Sequence, residues 1–239
     1  KNDISFVGMM YTGEGNYFEK IKPLPDYLKG YIEGLCESQL KVYGYNMVAD
    51  VMNGKMMDEM REYVDFSMEP NFFLTFEQFV TDIINKKITV MERSRTLELL
   101  SEFFDVTLYT KADTSHLPKV HNMGYIHYYD KMPAVFHNSK INLNITMRSI
   151  YTGIPLRVLD VLGCRGFLMT NYQEEIAEHF EDGKDLVMYS SMEELIDKTA
   201  YYLNNDELRE TIANNGYEKV KQKFNYKKQL SFIFEKVFE

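Results

Sequence analysis

The densest chemistry in this sequence lies in Thr152-Gly153-Ile154-Pro155, followed by Arg157 and Asp160. A chain that enters a helix through Gly-Ile-Pro offers free backbone amides at the positive end of a helix dipole, and such an end holds an anion. Pro155 suits the first helical position, where its missing N–H has no partner to lose. Arg157 falls in the first turn, where a guanidinium can grip a phosphate at two points. Asp160 follows three residues later on the same face, a carboxylate able to accept both hydroxyls of a ribose diol. Cation beside the phosphate and acid beyond it is the order a nucleoside diphosphate requires. The same spacing equally makes an i,i+3 surface ion pair, and the sequence leaves both readings open.

Other candidates are thinner. Tyr11-Thr12-Gly13-Glu14-Gly15-Asn16 has glycines that let a backbone approach a ligand, but it matches neither a P-loop nor GxGxxG and reads more simply as a surface turn. His127, at the end of an apolar run, faces either a ligand or a structural partner. Asn142 and Asn144 alternate along one strand face, which suggests a cleft rim. No Ser/His/Asp or Cys/His triad assembles. Cys36 and Cys164 form no CxxC pair, and the five histidines show no zinc spacing, so neither metal nor disulfide is expected. Reduced thiols fit a cytoplasmic protein.

Composition narrows the partners. The 239 residues are 45 % apolar and 26 % charged, and the formal net charge is −9. No Lys/Arg block offsets that charge, which argues against nucleic acid and leaves a small anionic ligand held by local cations. No apolar run reaches membrane-spanning length, and no signal peptide is visible. The chain starts without Met, directly at a strand-like run, and reads as a segment of a longer protein.

The elements that must position these residues have two textures. Ile4 to Gly8 reads as a short strand. From about Pro23 to Phe104 the pattern is helical: one helix near Pro25, one opened by a capping box at Thr75-Phe76-Glu77-Gln78, and a third through Val90, Leu97, Leu100 and Phe104. This section reads as a helical insertion rather than a separate domain, so residues 1–239 form one domain with an insertion at about 23–104. From Asp105 strands and helices alternate. Strands are expected at Val106–Tyr109, Gly124–Tyr128, Ile141–Ile145, Gly166–Thr170 and Leu186–Tyr189. Helices are expected at Met132–Ser139, Pro155–Leu162 and Gln173–Phe180, after a second capping box at Ser191–Glu194, from Asp206, and from about Tyr226. Such alternation specifies a doubly wound α/β fold, a Rossmann-like parallel sheet with helices on both faces. Ligands then bind at the carboxyl ends of the strands, in the loops after Gly8, Tyr109 and Tyr128 and from Thr146 to Pro155.

From Gly124 onward the chain resembles a known family. The runs Gly124-Tyr125-Ile126, Ser139-Lys140-Ile141-Asn142-Leu143-Asn144, Gly153-Ile154-Pro155-Leu156-Arg157-Val158-Leu159-Asp160 and Gly163 to Asn171 are similar, in order, to glycosyltransferases related to the spore maturation protein CgeB. The similarity continues through Phe180-Glu181-Asp182-Gly183, Leu186-Val187-Met188-Tyr189, Tyr201-Tyr202-Leu203 and Ile212-Ala213-Asn214-Asn215-Gly216. The resemblance implies one half of a GT-B architecture, the carboxy-terminal nucleotide-sugar domain, with an amino-terminal acceptor domain outside this chain. It implies a nucleoside-diphosphate sugar as donor, an unknown acceptor and no separate cofactor. On that mapping Asp160 contacts ribose, Arg157 with the Gly153 loop lies near the diphosphate, and the loop after Tyr125 borders the base. Gly8, Tyr125, His127, Asn144, Thr152, Gly153, Ile154 and Asp160 are the candidate donor-binding residues, and Arg157 is the candidate catalytic one. Thr152 stands where many retaining members of the fold carry a Glu, and Arg165 where small residues are usual. The alternatives are a nucleotide-sugar-binding module without transfer, or an interaction domain that docks through the helical insertion.

Overall fold

The computed structural model describes residues 2–13, 16–67 and 73–238. Six parallel strands form one sheet: β1 (Ile4–Val7), β2 (Val106–Tyr109), β3 (His121–Asn122), β4 (Ile141–Asn144), β5 (Leu168–Asn171) and β6 (Val187–Tyr189). Their order is β3-β2-β1-β4-β5-β6, the Rossmann order, with β1 paired to β2 on one side and to β4 on the other. The chain therefore winds outward from β1 to one edge, then returns and winds to the other. The crevice at the carboxyl ends of β1 and β4 is the topological switch point.

Strands β1, β4, β5 and β6 are buried at every position, because helices cover both faces and leave no solvated side to carry alternating polar residues. The ten helices among the described residues are α1 (Asp26–Leu40), α2 (Val48–Val51), α3 (Gly54–Met60), α4 (Phe76–Ser101), α5 (Met132–Asn138), α6 (Leu156–Gly163), α7 (Glu174–His179), α8 (Met192–Leu203), α9 (Asp206–Lys223) and α10 (Tyr226–Phe238). Ile4, Phe6, Leu143, Met169 and Val187 pack on one face against Leu97 and Leu100 of α4, Leu195 of α8 and Ile212 of α9. Val7, Leu168 and Met188 point the other way, onto Phe136 of α5, Val158 and Val161 of α6, and Ile176 of α7. The doubly wound α/β expectation holds.

The helical section builds a core of its own, with Leu28, Ile32, Val48, Met57, Val80, Ile84 and Ile88 in one cluster. Helix α4 joins the two cores: residues to Ile88 face the helical cluster, and Leu97 and Leu100 face the sheet. The sequence pattern suggested two helices here. The structure has one helix of 26 residues, and no Gly or Pro between Phe76 and Ser101 interrupts it. The capping box forms at its start, with Thr75 Oγ1 accepting from the Gln78 amide and the Gln78 side chain accepting from the Thr75 amide.

Three other expectations are corrected. Gly124–Tyr128 is not a strand. Pairing with β2 ends at Asn122, and Gly124 at φ 76° turns the chain out of extended backbone. The aromatic alternation of this run imitates a strand while Tyr125, His127 and Tyr128 stand exposed. Pro155 is the N-cap of α6 rather than its first residue. At Ser191 only half a capping box forms: the hydroxyl accepts from the Glu194 amide, but the Glu194 carboxylate accepts from Ser190 instead.

Gly216 shows how tightly α9 packs. A Cβ there would lie 2.3 Å from the Asp185 carbonyl oxygen and 2.7 Å from a Leu162 methyl, so only glycine permits this approach.

Candidate functional site

At the switch point a cleft of about 630 Å³ is open to solvent. It is built from the loop after β1 (Gly8 to Thr12), the loop after β2 (Thr110 to Ala112), Tyr125 and Ile126 after β3, and Met132 and Arg157 from α5 and α6. Among the described residues its lining carries two cations, Lys111 and Arg157, and no carboxylate. In a chain of net charge −9, that local excess of positive charge marks a site for an anion. Lys111 Nζ lies 4.4 Å from the Tyr125 ring centroid, a cation–π contact that holds the ammonium at the mouth and presents an aromatic ring beside it.

Arg157 is half-buried. Its guanidinium lies 5.2 Å from the Phe136 ring centroid, and its Nη1 is 3.3 Å from Asp160 Oδ2. Burial pulls its pKa below the usual arginine value, against the opposing pull of Asp160. The other Asp160 oxygen accepts from the Tyr128 hydroxyl at 2.6 Å. That hydrogen bond, reinforced by burial, raises the Tyr128 pKa to about 12. The ion pair and the cleft position thus coexist: Arg157 reaches the cleft while Asp160 holds it from behind.

The loops are fixed from below by a residue the sequence did not single out. Arg93 of α4 is buried, donating to the Met9 carbonyl after β1 and, at 2.7 Å, to the Ile145 carbonyl after β4. Its guanidinium lies between the rings of Phe6 and Tyr11, 5.4 and 5.0 Å from their centroids. Tyr11 takes φ 57°, a left-handed conformation that costs a non-glycine residue roughly 1–3 kcal/mol and persists only where its surroundings enforce it. Its hydroxyl meets Met147 Sδ at 2.8 Å, linking the first loop to the fourth.

The fourth loop is held by a buried ion pair. Arg148 Nε and Nη2 donate to the two Glu92 oxygens at 2.7 and 2.9 Å, and Nη1 donates to the Val42 carbonyl at 2.8 Å. Burial works against the Arg148 charge, but Glu92 outweighs it and keeps the pKa above the ordinary value. Through Val42 this pair ties the helical section to the loop that enters α6.

Of the sequence candidates, Gly8, Tyr125 and Arg157 come together in the cleft lining, with Asp160 directly behind. The other six are placed differently. Asn144 is buried, its amide nitrogen donating to Thr146 at 3.1 Å and Thr170 at 2.9 Å. Asn142 is likewise satisfied inside the sheet, by Ser5, Phe136 and Phe167, so neither asparagine forms a rim. His127 pairs with Asp130 at 3.0 Å, outside the cleft lining. The Gly153 amide is not free, because it donates to the Glu175 carboxylate, and the Gly153 carbonyl accepts from Gln173 at 3.0 Å. Thr152 is exposed and Ile154 half-buried beside α6. Glu14 and Gly15 of the first loop lie outside the described residues, whereas Asn16 caps the short 3-10 turn Tyr17–Lys20 through the Phe18 amide. Lys111 was missed although its loop was named. Arg93 gave no signal beyond being a charge on an otherwise core-facing helical stretch. Among the described residues no three His, Cys, Asp or Glu side chains group as metal ligands.

A family model described as glycosyl transferase-like matches residues 92–235, more than half the chain. The chain belongs to this glycosyl transferase-like family. The match begins on α4 between Ile88, the last contributor to the helical core, and Leu97, the first to the sheet core. No curated protein matches the chain. Among solved structures, TarM is 14 % identical with a TM-score of 0.49, over 61 % of this chain and 32 % of that one. The Anabaena protein Alr3699/HepE, in complex with UDP and glucose, is 13 % identical with a TM-score of 0.48, over 61 % and 44 %. Sucrose-phosphate synthase from Thermosynechococcus elongatus is 15 % identical with a TM-score of 0.48, over 61 % and 43 %. The chain thus spans between about a third and under half the length of these structures.

Proposed function

We propose that this glycosyltransferase-like domain holds a nucleoside-diphosphate sugar in the switch-point cleft, and that the whole protein transfers the sugar to an acceptor. The observation that carries this reading is the pair of cations, Lys111 and Arg157, that line the cleft with no carboxylate among the described residues, in an acidic chain. A diphosphate seated between the two cations places the base toward Tyr125 and the ribose toward Asp160. In transfer, the bond from the anomeric carbon to the diphosphate oxygen breaks and a bond to the acceptor oxygen forms. The acceptor proton passes to a base, and the diphosphate leaves as an anion. Lys111 and Arg157 stabilise the charge that develops on that leaving group, an electrostatic contribution that needs no covalent intermediate and no metal. For ribose to reach Asp160, the Tyr128 hydroxyl must give way. For a phosphate to reach the Gly153 amide, Glu175 must do so.

Within the family we place the chain with the CgeB-related glycosyltransferases, on the ordered runs from Gly124 to Gly216, and in the cytoplasm. No helix among the described residues is long and apolar enough to cross a membrane.

Calorimetric titration with UDP, GDP and TDP tests the reading. One diphosphate binds preferentially, and Arg157→Ala and Lys111→Ala each weaken it by about tenfold or more, the scale of one charge-assisted hydrogen bond. Unchanged affinity in both variants overturns the assignment. Turnover by the full-length protein separates a transferase from a binding module.

A further inference from the structure

A second cavity, of about 570 Å³, lies where the helical section meets the fourth loop. Its charge is opposite in sign to that of the donor cleft. Asp58, Glu77 and Asp82 line it, and among the described residues no Lys, Arg or His does. Arg61 reaches Asp58 at 3.7 Å and Glu77 at 2.7 Å, and Lys86 reaches Asp82 at 2.7 Å, so three carboxylates meet two neighbouring cations. Met52, Met57 and Asn85 are buried beneath its floor, whereas Gln78 and the exposed Tyr151 offer an amide, a ring face and a hydroxyl.

One wall of this cavity is the fourth loop. Ser149 and Tyr151 line it, immediately before Thr152-Gly153. The Tyr151 hydroxyl accepts from the fully buried Asn85 at 2.9 Å. The Asn85 side-chain oxygen Oδ1 accepts from Asn46 at 2.7 Å, and Asn46 also donates to the Arg148 backbone carbonyl at 2.7 Å. A ligand against Tyr151 therefore bears on the loop that enters α6.

We propose that this cavity binds a small saccharide that is neutral or carries an amine. The volume is within the range of small-ligand sites. Carboxylates accept from hydroxyl groups and the Gln78 amide accepts from or donates to them, the exposed Tyr151 ring takes the apolar face of a sugar ring, and the acidic lining favours an ammonium and repels a phosphate. The site is separate from the donor cleft and shares no lining residue with it.

Saturation-transfer NMR with glucosamine, glucose and glucose 6-phosphate is the test. Glucosamine and glucose give transfer, glucosamine binding several-fold more tightly, and glucose 6-phosphate gives none. Asp82→Asn reduces the preference for glucosamine over glucose. Ala49→Trp and Asn53→Trp, at exposed lining positions, abolish saccharide binding while the melting temperature is retained. One of the two suffices if the other does not fold. UDP affinity, read separately by calorimetry on the same variants, reports the donor cleft, so failure of either site is seen independently. No transfer from any of the three probes overturns the proposal, as does saccharide binding that persists in a folded Trp variant or a preference for the phosphorylated sugar.

Discussion

Replacing Arg148 by alanine tests how the fourth loop, from Thr146 to Pro155, is held. Glu92 is fully buried, with 0 % of its side chain exposed, against 9 % for Arg148. Truncation removes both short hydrogen bonds to the carboxylate and the one to the Val42 carbonyl. It leaves Glu92 with the Asn171 amide at 3.3 Å. Breaking a buried pair in this way costs about 3–5 kcal/mol, because a charge stays behind without its partner. For a domain of this size each kcal/mol lowers the melting temperature by roughly 2–4 °C, so the variant melts about 6–20 °C lower. The cost belongs to the orphaned charge, so Glu92→Leu combined with Arg148→Met restores most of the loss, within roughly 1–2 kcal/mol of the parent protein. Thermal and urea denaturation followed by circular dichroism measure the parent, Arg148→Ala, the single Glu92→Leu and Arg148→Met variants, and their double. A drop below about 2 °C for Arg148→Ala refutes the argument, as does a double variant no more stable than the single ones.

Gly216→Ala destabilises the fold by about 1–3 kcal/mol, although alanine is ordinarily the better helix former, because the new Cβ meets the Asp185 carbonyl at 2.3 Å. A urea midpoint equal to or above that of the parent contradicts the close packing of α9. Tyr128→Phe frees one Asp160 oxygen and raises nucleoside diphosphate affinity several-fold if ribose uses that carboxylate; unchanged calorimetric affinity removes Asp160 from the ribose role. Tyr128 also has a signed effect on alkaline stability. Its folded pKa of about 12 exceeds the ordinary value of 10, so its contribution is complete below pH 10 and is lost as pH rises toward 12. Denaturation of Tyr128→Phe across that window shows a shallower alkaline decline, and an unchanged slope refutes the hydrogen bond to Asp160.

The sequence by itself determined the winding of the sheet. Apolar runs at Ile4–Val7 and Val187–Tyr189 alternate with amphipathic helices, and a strand buried on both faces leaves that signature in local sequence. It also determined the cap at Thr75, which is a contact between residues three apart. The Arg157–Asp160 pair was legible for the same reason, as both its readings rest on one helical turn. What lies on the cleft was decided by tertiary structure. Lys111 faces Tyr125 across 14 positions of sequence, Arg93 reaches from α4 to carbonyls after β1 and β4, and Glu92 finds Arg148 across 56 positions. Periodicity states which side of an element is buried. It does not state which buried side belongs to which partner, and a charge on a core-facing helix stretch becomes intelligible only when its partner arrives. The same limit misplaced Asn144, whose strand-end position suggests a ligand contact until Thr146 and Thr170 are seen to satisfy it. It also hid Glu175, which occupies the amide that Gly153 alone seemed to offer. Local sequence fixes backbone habit through short-range sterics and hydrogen bonding, whereas site chemistry depends on contacts between distant segments, and those exist only once the sheet is wound.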